Sequence, residues 1–314
     1  MIRFGLYVRL LLAMALMFAV LYALLSLVAY ILGYGYPVVL AVLAFFIILL
    51  QYLMGPKMVE MGMRIRYITS DDNPRLYEMV EKLAAKAGVP MPRVGVASTE
   101  VPNAFAFGRS IRDGRVCVTK GLLKILNDEE LEAVLGHEIS HLKHRDMVII
   151  TMLSVIPLLS YMLLWNSMWS RRRDEGALLA LVALLVYLIS NLIVLYVSRV
   201  REYYADYGSV TLTGKPHALA SALYRISIST TRVPRIKIKQ VEGMKAFFAT
   251  DPSTAIRDVR DLSKADLNLD GHIDEYELQQ FASMAKASTA EKLMEIFSSH
   301  PNMVDRIKML ARMK

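Results

Sequence analysis

Apolar and polar positions along this chain separate into long blocks before any finer period shows. Residues 10–32 carry no charged side chain, and residues 36–54 repeat the pattern after a turn signal at Gly33, Gly35 and Pro37. A helix needs roughly 20 apolar residues to cross the hydrocarbon core, so each block is long enough to span. The length of the first block and its lack of a small-residue cleavage pattern argue against a removed signal peptide. Blocks of the same character follow at 147–169 and 177–197. Residues 57–146 and everything after 197 read as water-facing.

The water-facing stretches carry finer periods. Asn73 and Pro74 open a helix with apolar residues at Leu76, Met79, Val80 and Leu83, and Gly88 ends it. Arg93–Ser98 reads as a strand. Residues 103–108 and 115–119 read as a hairpin with a type I′ turn at Asp113-Gly114. Asn127 and Glu130 form a capping-box pair ahead of Leu131, Val134, Leu135, Ile139 and Leu142, which recur at helical spacing. That helix is expected to run unbroken into the block at 147.

Composition agrees with the blocks. The 314 residues are 55% hydrophobic, and the mean hydropathy of +0.37 is too high for an ordinary soluble domain. The net charge is +8 and the pI about 9.4. The basic residues flank the apolar blocks at Arg3, Arg9, Lys57, Arg64, Arg66, Lys143, Arg145, Arg199 and Arg201, which suits lipid headgroups. No nucleic-acid motif is visible, so the bilayer is the expected partner. Arg3, Arg9 and Lys57 place both ends of the first hairpin in the cytoplasm. Arg171, Arg172 and Arg173 run against that rule if both later blocks span. Cys117 is the single cysteine, which excludes an intramolecular disulfide.

Candidate chemistry begins at 137–141, which reads His-Glu-Ile-Ser-His on the capped helix. Residues four apart share a helix face, so the imidazoles of His137 and His141 can reach one ion. Zinc takes such nitrogen and oxygen ligands tetrahedrally, and a catalytic site leaves one position to water. Glu138 is placed to take a proton from that water as general base. A third ligand is expected from Arg201-Glu202-Tyr203-Tyr204-Ala205-Asp206. Glu202 lies about 7.5 Å past the block ending at 197, and His141 lies about 9 Å before the block at 147. An antiparallel hairpin therefore returns Glu202 to the histidines. Asp206, one turn on, can orient a ligand histidine. The competing reading of both carboxylates is a solvated face beside the membrane.

Two apolar segments lead into Pro102-Asn103-Ala104-Phe105-Ala106-Phe107-Gly108 and the His-Glu-Ile-Ser-His helix. An apolar hairpin follows, then Arg-Glu-Tyr-Tyr-Ala-Asp and Ser299-His300-Pro301. This order resembles the HtpX family of membrane zinc proteases and, more distantly, the prenyl-protein (CAAX) endoproteases. The resemblance implies an α-helical membrane protein with about four hydrophobic helices and an α+β zincin-type (gluzincin) catalytic domain. It implies one catalytic Zn2+ on His137, His141 and Glu202, with Glu138 as base. It gives His300 the oxyanion of the tetrahedral intermediate and has Arg306 brace a carboxylate such as Asp206. The substrates it implies are misfolded or damaged membrane proteins, cut on the cytoplasmic side in a quality-control, heat-shock-type role. Asn103, Ala104, Phe105 and Ala106 are candidates for an edge strand that adds substrate to a sheet; a plain core strand is the alternative. His300, before Pro301, also reads as the start of a helix.

On these grounds 1–56 is expected to be a transmembrane hairpin, 57–146 the first part of the protease domain, 147–197 an inserted hydrophobic hairpin and 198–314 the second part. The second part contains Asp-Leu-Asn-Leu-Asp-Gly-His-Ile-Asp-Glu-Tyr-Glu at 266–277, between helices at 254–264 and 275–286. It fits an EF-hand loop, with Asp266, Asn268, Asp270, His272 (by its carbonyl), Asp274 and Glu277 as Ca2+ ligands. An acidic turn is the alternative. The alternating basic and apolar residues of 232–239 read as a solvated strand or a membrane-surface contact. Two rival functions stand beside the quality-control protease: a prenyl-peptide endoprotease, and a non-enzymatic calcium sensor with structural zinc.

Overall fold

The computed structural model describes residues 37–153, 156–157, 160–161, 164, 173–240, 254–285 and 295–313. The apolar block at 10–32 and most of the chain between 154 and 172 lie outside the described residues. In chain order the elements are α1 (Pro37–Gly62), β1 (Ile65–Tyr67), α2 (Pro74–Ala87), β2 (Arg93–Ala97), β3 (Ala104–Phe107), β4 (Arg115–Thr119), α3 (Lys120–Ile125), α4 (Asp128–Lys143), α5 (Asp146–Leu153), α6 (Arg173–Thr213), α7 (Pro216–Arg232), α8 (Arg235–Gln240), α9 (Ala255–Leu262), α10 (Glu275–Met284) and α11 (Met303–Leu310). The described residues are mostly helical, with one four-stranded sheet among them, ordered β1-β2-β4-β3.

Local chemistry explains the helix ends. The Asn73 side chain accepts from the Leu76 N–H at the start of α2, and Gly88 closes that helix at φ 69°. At α4, Asn127 caps the Glu130 N–H while the Glu130 carboxylate accepts from the Asn127 N–H, so orphan donors are satisfied in both directions.

The sheet departs from a simple hairpin. β3 and β4 are antiparallel, pairing Ala104 with Val118 and Phe107 with Arg115. The link between them is a 3-10 turn at Ile111–Asp113, and Gly114 sits at φ −70°, so the expected type I′ turn does not form. Ser110 caps the 3-10 turn at the Asp113 N–H. Asp113 in turn holds Arg109 Nε at 2.7 Å and Arg115 Nη1 at 3.0 Å. These ion pairs favour the longer connection. β4 runs parallel to β2, and β3 is an edge of the sheet.

The described residues fall into two compact units. One draws on Pro56–Met147, Arg201–Glu295 and His300–Lys314. Its core joins Leu76, Val80 and Leu83 of α2, Val116 and Val118 of β4, Leu135 and Ile139 of α4, Leu219 and Leu223 of α7 and Ile307 of α11. The other unit draws on Val148–Val200, Ile296–Ser299 and the chain up to Gly55. In it Leu153 and Ile156 pack on Ile193 and Val197, while Leu181, Leu185, Leu188 and Ile189 stand exposed. Among the described residues one helix, Ala180–Thr213, is long and apolar enough to cross a membrane.

Two expectations are corrected and one holds. The helix of His141 does not run on to 147: α4 stops at Lys143, Arg145 takes φ 56°, and α5 starts afresh at Asp146. The helix of the fourth apolar block carries on past 197 through Glu202 and Asp206, as expected, and reaches Thr213; Gly214, at φ 73°, follows its end. Residues 235–240 are helical, not a strand: Pro234 opens the turn, and its carbonyl accepts from Lys237 N–H.

Candidate metal centre

Helix α4 presents two imidazoles on one face. His137 Nε2 and His141 Nε2 lie 3.1 Å apart. Glu202 of α6 reaches the same point: its Oε2 is 3.5 Å from His137 Nε2 and its Oε1 is 3.6 Å from His141 Nε2. Among the described residues, these three form a group that could hold a metal ion. The distances fit a tetrahedral ion. Two ligands at about 2.0–2.1 Å from zinc stand about 3.3–3.4 Å apart.

The charge balance also fits a cation. Four buried carboxylates (Glu138, Asp146, Glu202 and Asp206) face two buried guanidiniums (Arg201 and Arg306). Burial works against a charged His137, yet Asp206 and Glu202 outweigh it and push the imidazole pKa up to about 10. The cluster therefore draws positive charge. Glu202 Oε2 is buried with no hydrogen bond, as an atom reserved for a ligand is.

Behind each histidine stands a carboxylate. His137 Nδ1 is 2.9 Å from Asp206 Oδ1, and His141 Nδ1 is 2.5 Å from Asp146 Oδ2. A proton held at Nδ1 leaves the Nε2 lone pair for the metal. Arg306, fully buried, donates from Nε and Nη2 to both Asp206 oxygens at 2.9 and 2.6 Å. Its Nη1 is 3.5 Å from Glu202 Oε2. His300 Nδ1 lies 3.7 Å from the same oxygen.

Glu138 is buried one residue after His137. Burial raises its carboxyl pKa, against the pull of the neighbouring histidines, and the Ala106 N–H donates to it. A raised carboxyl is a better proton acceptor. Asn103, Ala104, Phe105 and Ala106 lie at the start of the edge strand β3 and are all buried.

Small residues set the crossing of α4 and α6. A Cβ on Gly208 would meet Ser140 Oγ at 2.0 Å and Ser140 Cβ at 2.5 Å. Ser209 Oγ donates to the Ala133 carbonyl at 2.6 Å. This contact brings Glu202 to the histidines.

Sequence reasoning did not single out Asp146 or Gly208, and it gave Arg201 to lipid headgroups, whereas the structure buries that guanidinium against Asp146. Asp146 follows His141 by five residues, a spacing that points away from it on an unbroken helix. Only the unusual backbone at Arg145 makes the pairing.

In the acidic loop at 266–277, Glu277 bonds to the loop's own backbone. Its Oε1 accepts from Leu267 and Asn268 N–H, and its Oε2 from Asp274 N–H. Asp266 accepts from Asp270 and Gly271 N–H. The His272 side chain faces the Glu130 carboxylate at 2.9 Å.

A two-histidine, one-glutamate centre with a glutamate beside the first histidine is the pattern of a metallopeptidase, and comparison with known proteins agrees. The model of peptidase family M48 matches residues 70–314. The chain belongs to peptidase family M48. This M48 metallopeptidase is 52% identical over 225 residues to the protease HtpX homolog of Methanothermobacter thermautotrophicus, covering 72% of this chain and 87% of that one. It is 35% identical over 273 residues to protease HtpX homolog 2 of Methanosarcina acetivorans, covering 84% and 81%. Among solved structures, S. mikatae Ste24p matches with a TM-score of 0.51 at 16% identity, covering 98% of this chain and 66% of that one. That likeness is one of fold.

Proposed function

We propose that this metallopeptidase is a multi-pass, membrane-embedded zinc endopeptidase that cuts misfolded or damaged membrane proteins at the cytoplasmic face. One observation carries the reading. The helix suited to cross a membrane also carries Glu202 within coordinating range of His137 and His141. Basic residues beside the apolar blocks support the cytoplasmic placement.

His137, His141 and Glu202 would hold the zinc, which when bound acidifies a water and polarises the substrate carbonyl. Glu138 takes the proton of the attacking water and returns it to the leaving amine. His300 donates to the oxyanion as charge develops there. Asp206, held by Arg306, keeps His137 in the tautomer that ligates. The edge strand at Asn103–Ala106 takes the substrate as an added strand, because main-chain bonds tolerate any sequence.

The loop at Asp266–Glu277 is proposed as a Ca2+ site that steadies the C-terminal segment. Support comes from α10, where Gln279 Nε2 donates to the Ala311 carbonyl beyond α11. Calcium chelation that changed neither activity nor protease resistance near the C-terminus would refute it.

The decisive experiment is proteolysis by the purified protein in detergent, with zinc quantified. Glu138→Gln is expected to keep its zinc and to lose about 10²–10⁴-fold in cleavage of an unfolded protein. Zinc-loaded wild type that cleaves nothing would favour the structural-zinc reading. Preference for a prenylated C-terminal peptide over unfolded protein would favour the prenyl-peptide endoprotease.

A further inference from the structure

In this centre both histidines turn Nε2 to one point, so the Nδ1 side of each ring must be held. His137 is served by Asp206 and Arg306. The structure assigns an equivalent service to a second pair: Asp146 and Arg201 are positioning residues that fix the His141 imidazole and tie its placement to that of Glu202. This rests on the zinc reading above.

The geometry is unusual for the spacing. On a straight helix, residues five apart point about 140° away from each other. Here the helix breaks at His144, Arg145 adopts φ 56° and Asp146 starts a new helix. The break turns Asp146 back, so that its Oδ2 meets His141 Nδ1 at 2.5 Å. Its Oδ1 lies 3.1 Å from Arg201 Nε. Both side chains are shielded, with Asp146 2% and Arg201 9% exposed. In such surroundings an ion pair is little screened by solvent.

Arg201 is the chain neighbour of Glu202. The residue next to one ligand therefore holds the carboxylate that holds another. His141 and Glu202 come from different helices, and this contact links their positions at the level of the metal. A carboxylate serves both partners: one oxygen meets the His141 ring N–H, and the negative charge on the other attracts the Arg201 guanidinium. An amide offers one accepting oxygen and one donating nitrogen. An asparagine at 146 would set its NH2 against either the His141 N–H or the Arg201 guanidinium.

The test measures zinc affinity by chelator competition and the visible bands of the cobalt-substituted protein, with thermal melting of the metal-free form as a control. Asp146→Asn is expected to bind zinc about 10–100-fold more weakly and to shift the cobalt bands. Arg201→Met is expected to weaken zinc in the same direction, and Arg201→Lys, which keeps the charge, to recover most of that loss. If Asp146→Asn does not fold, the two Arg201 variants decide. Unchanged affinity and unchanged cobalt bands in folded Asp146→Asn would overturn the assignment, as would equal losses in Arg201→Met and Arg201→Lys. Wild-type protein that takes up no zinc would instead remove the zinc reading itself.

Discussion

Gly208→Ala tests whether the close crossing of α4 and α6 builds the metal centre. The added methyl would sit 2.5 Å from Ser140 Cβ and 2.0 Å from Ser140 Oγ. Carbon atoms rest at about 3.5–4.0 Å, so the helices must part by about 1–1.5 Å. Ser140 directly precedes His141, and Gly208 follows Asp206 by two residues. Glu202 Oε2 now lies 3.5 Å from His137 Nε2. Adding about 1 Å exceeds the roughly 4.2 Å that two ligands at about 2.1 Å could span even on opposite sides of one ion. Overpacking costs about 1–3 kcal/mol, and the gain in helix propensity from glycine to alanine offsets about 1 kcal/mol. Net destabilisation is therefore modest, while zinc binding should fall well over tenfold. Chelator competition reads the affinity and thermal melting reads the stability. The double variant Ser140→Gly with Gly208→Ala makes room for the methyl and should regain zinc. If Gly208→Ala alone binds zinc as wild type does, or the double variant binds no better than Gly208→Ala, the reasoning is wrong.

Arg306→Met should destabilise the fold by about 3–5 kcal/mol, since it leaves the buried Asp206 carboxylate without its guanidinium and with His137 alone beside it; Arg306→Lys should rescue poorly, because a single ammonium cannot reproduce the two-pronged contact. Denaturant midpoints of the metal-free proteins check both. Zinc supplied at about 100 times its Kd should stabilise the protein by about 2.7 kcal/mol over the chelated form, and coincident melts of the two forms would count against a specific site. Burial alone would raise the Asp113 carboxyl pKa, but hydrogen bonds from Arg109 and Arg115 outweigh it and hold the group well below the usual carboxylate range. Its stabilisation is thus complete above the ordinary carboxylate pKa and fades as pH falls through the lowered value. Asp113→Asn should lose about 1–2 kcal/mol at neutral pH and show a shallower decline in acid; an acid titration of stability parallel to that of wild type would refute this.

What the sequence by itself determined was local chemistry. The caps at Asn73 and Asn127 and the glycine stop at Gly88 depend on side chains within a few residues of the backbone they satisfy, so spacing alone reveals them. The i, i+4 pair of histidines is legible for the same reason, since one helix turn joins them. Glu202 was within reach because the helix of the apolar block at 177–197 carries on through it. The connection between β3 and β4 was not legible: Asp113-Gly114 is a turn signal, but the pull of Arg109 and Arg115 on Asp113 chose another geometry. Nor were the three backbone amides, those of Leu267, Asn268 and Asp274, from which the Glu277 carboxylate accepts. Only the tertiary structure decided the break at Arg145 that turns Asp146 toward His141, and the glycine contact at 208 that sets how near α6 comes to α4. Both are contacts between residues whose partners are fixed by the path of the backbone in space, and no pattern along the chain encodes a distance across it.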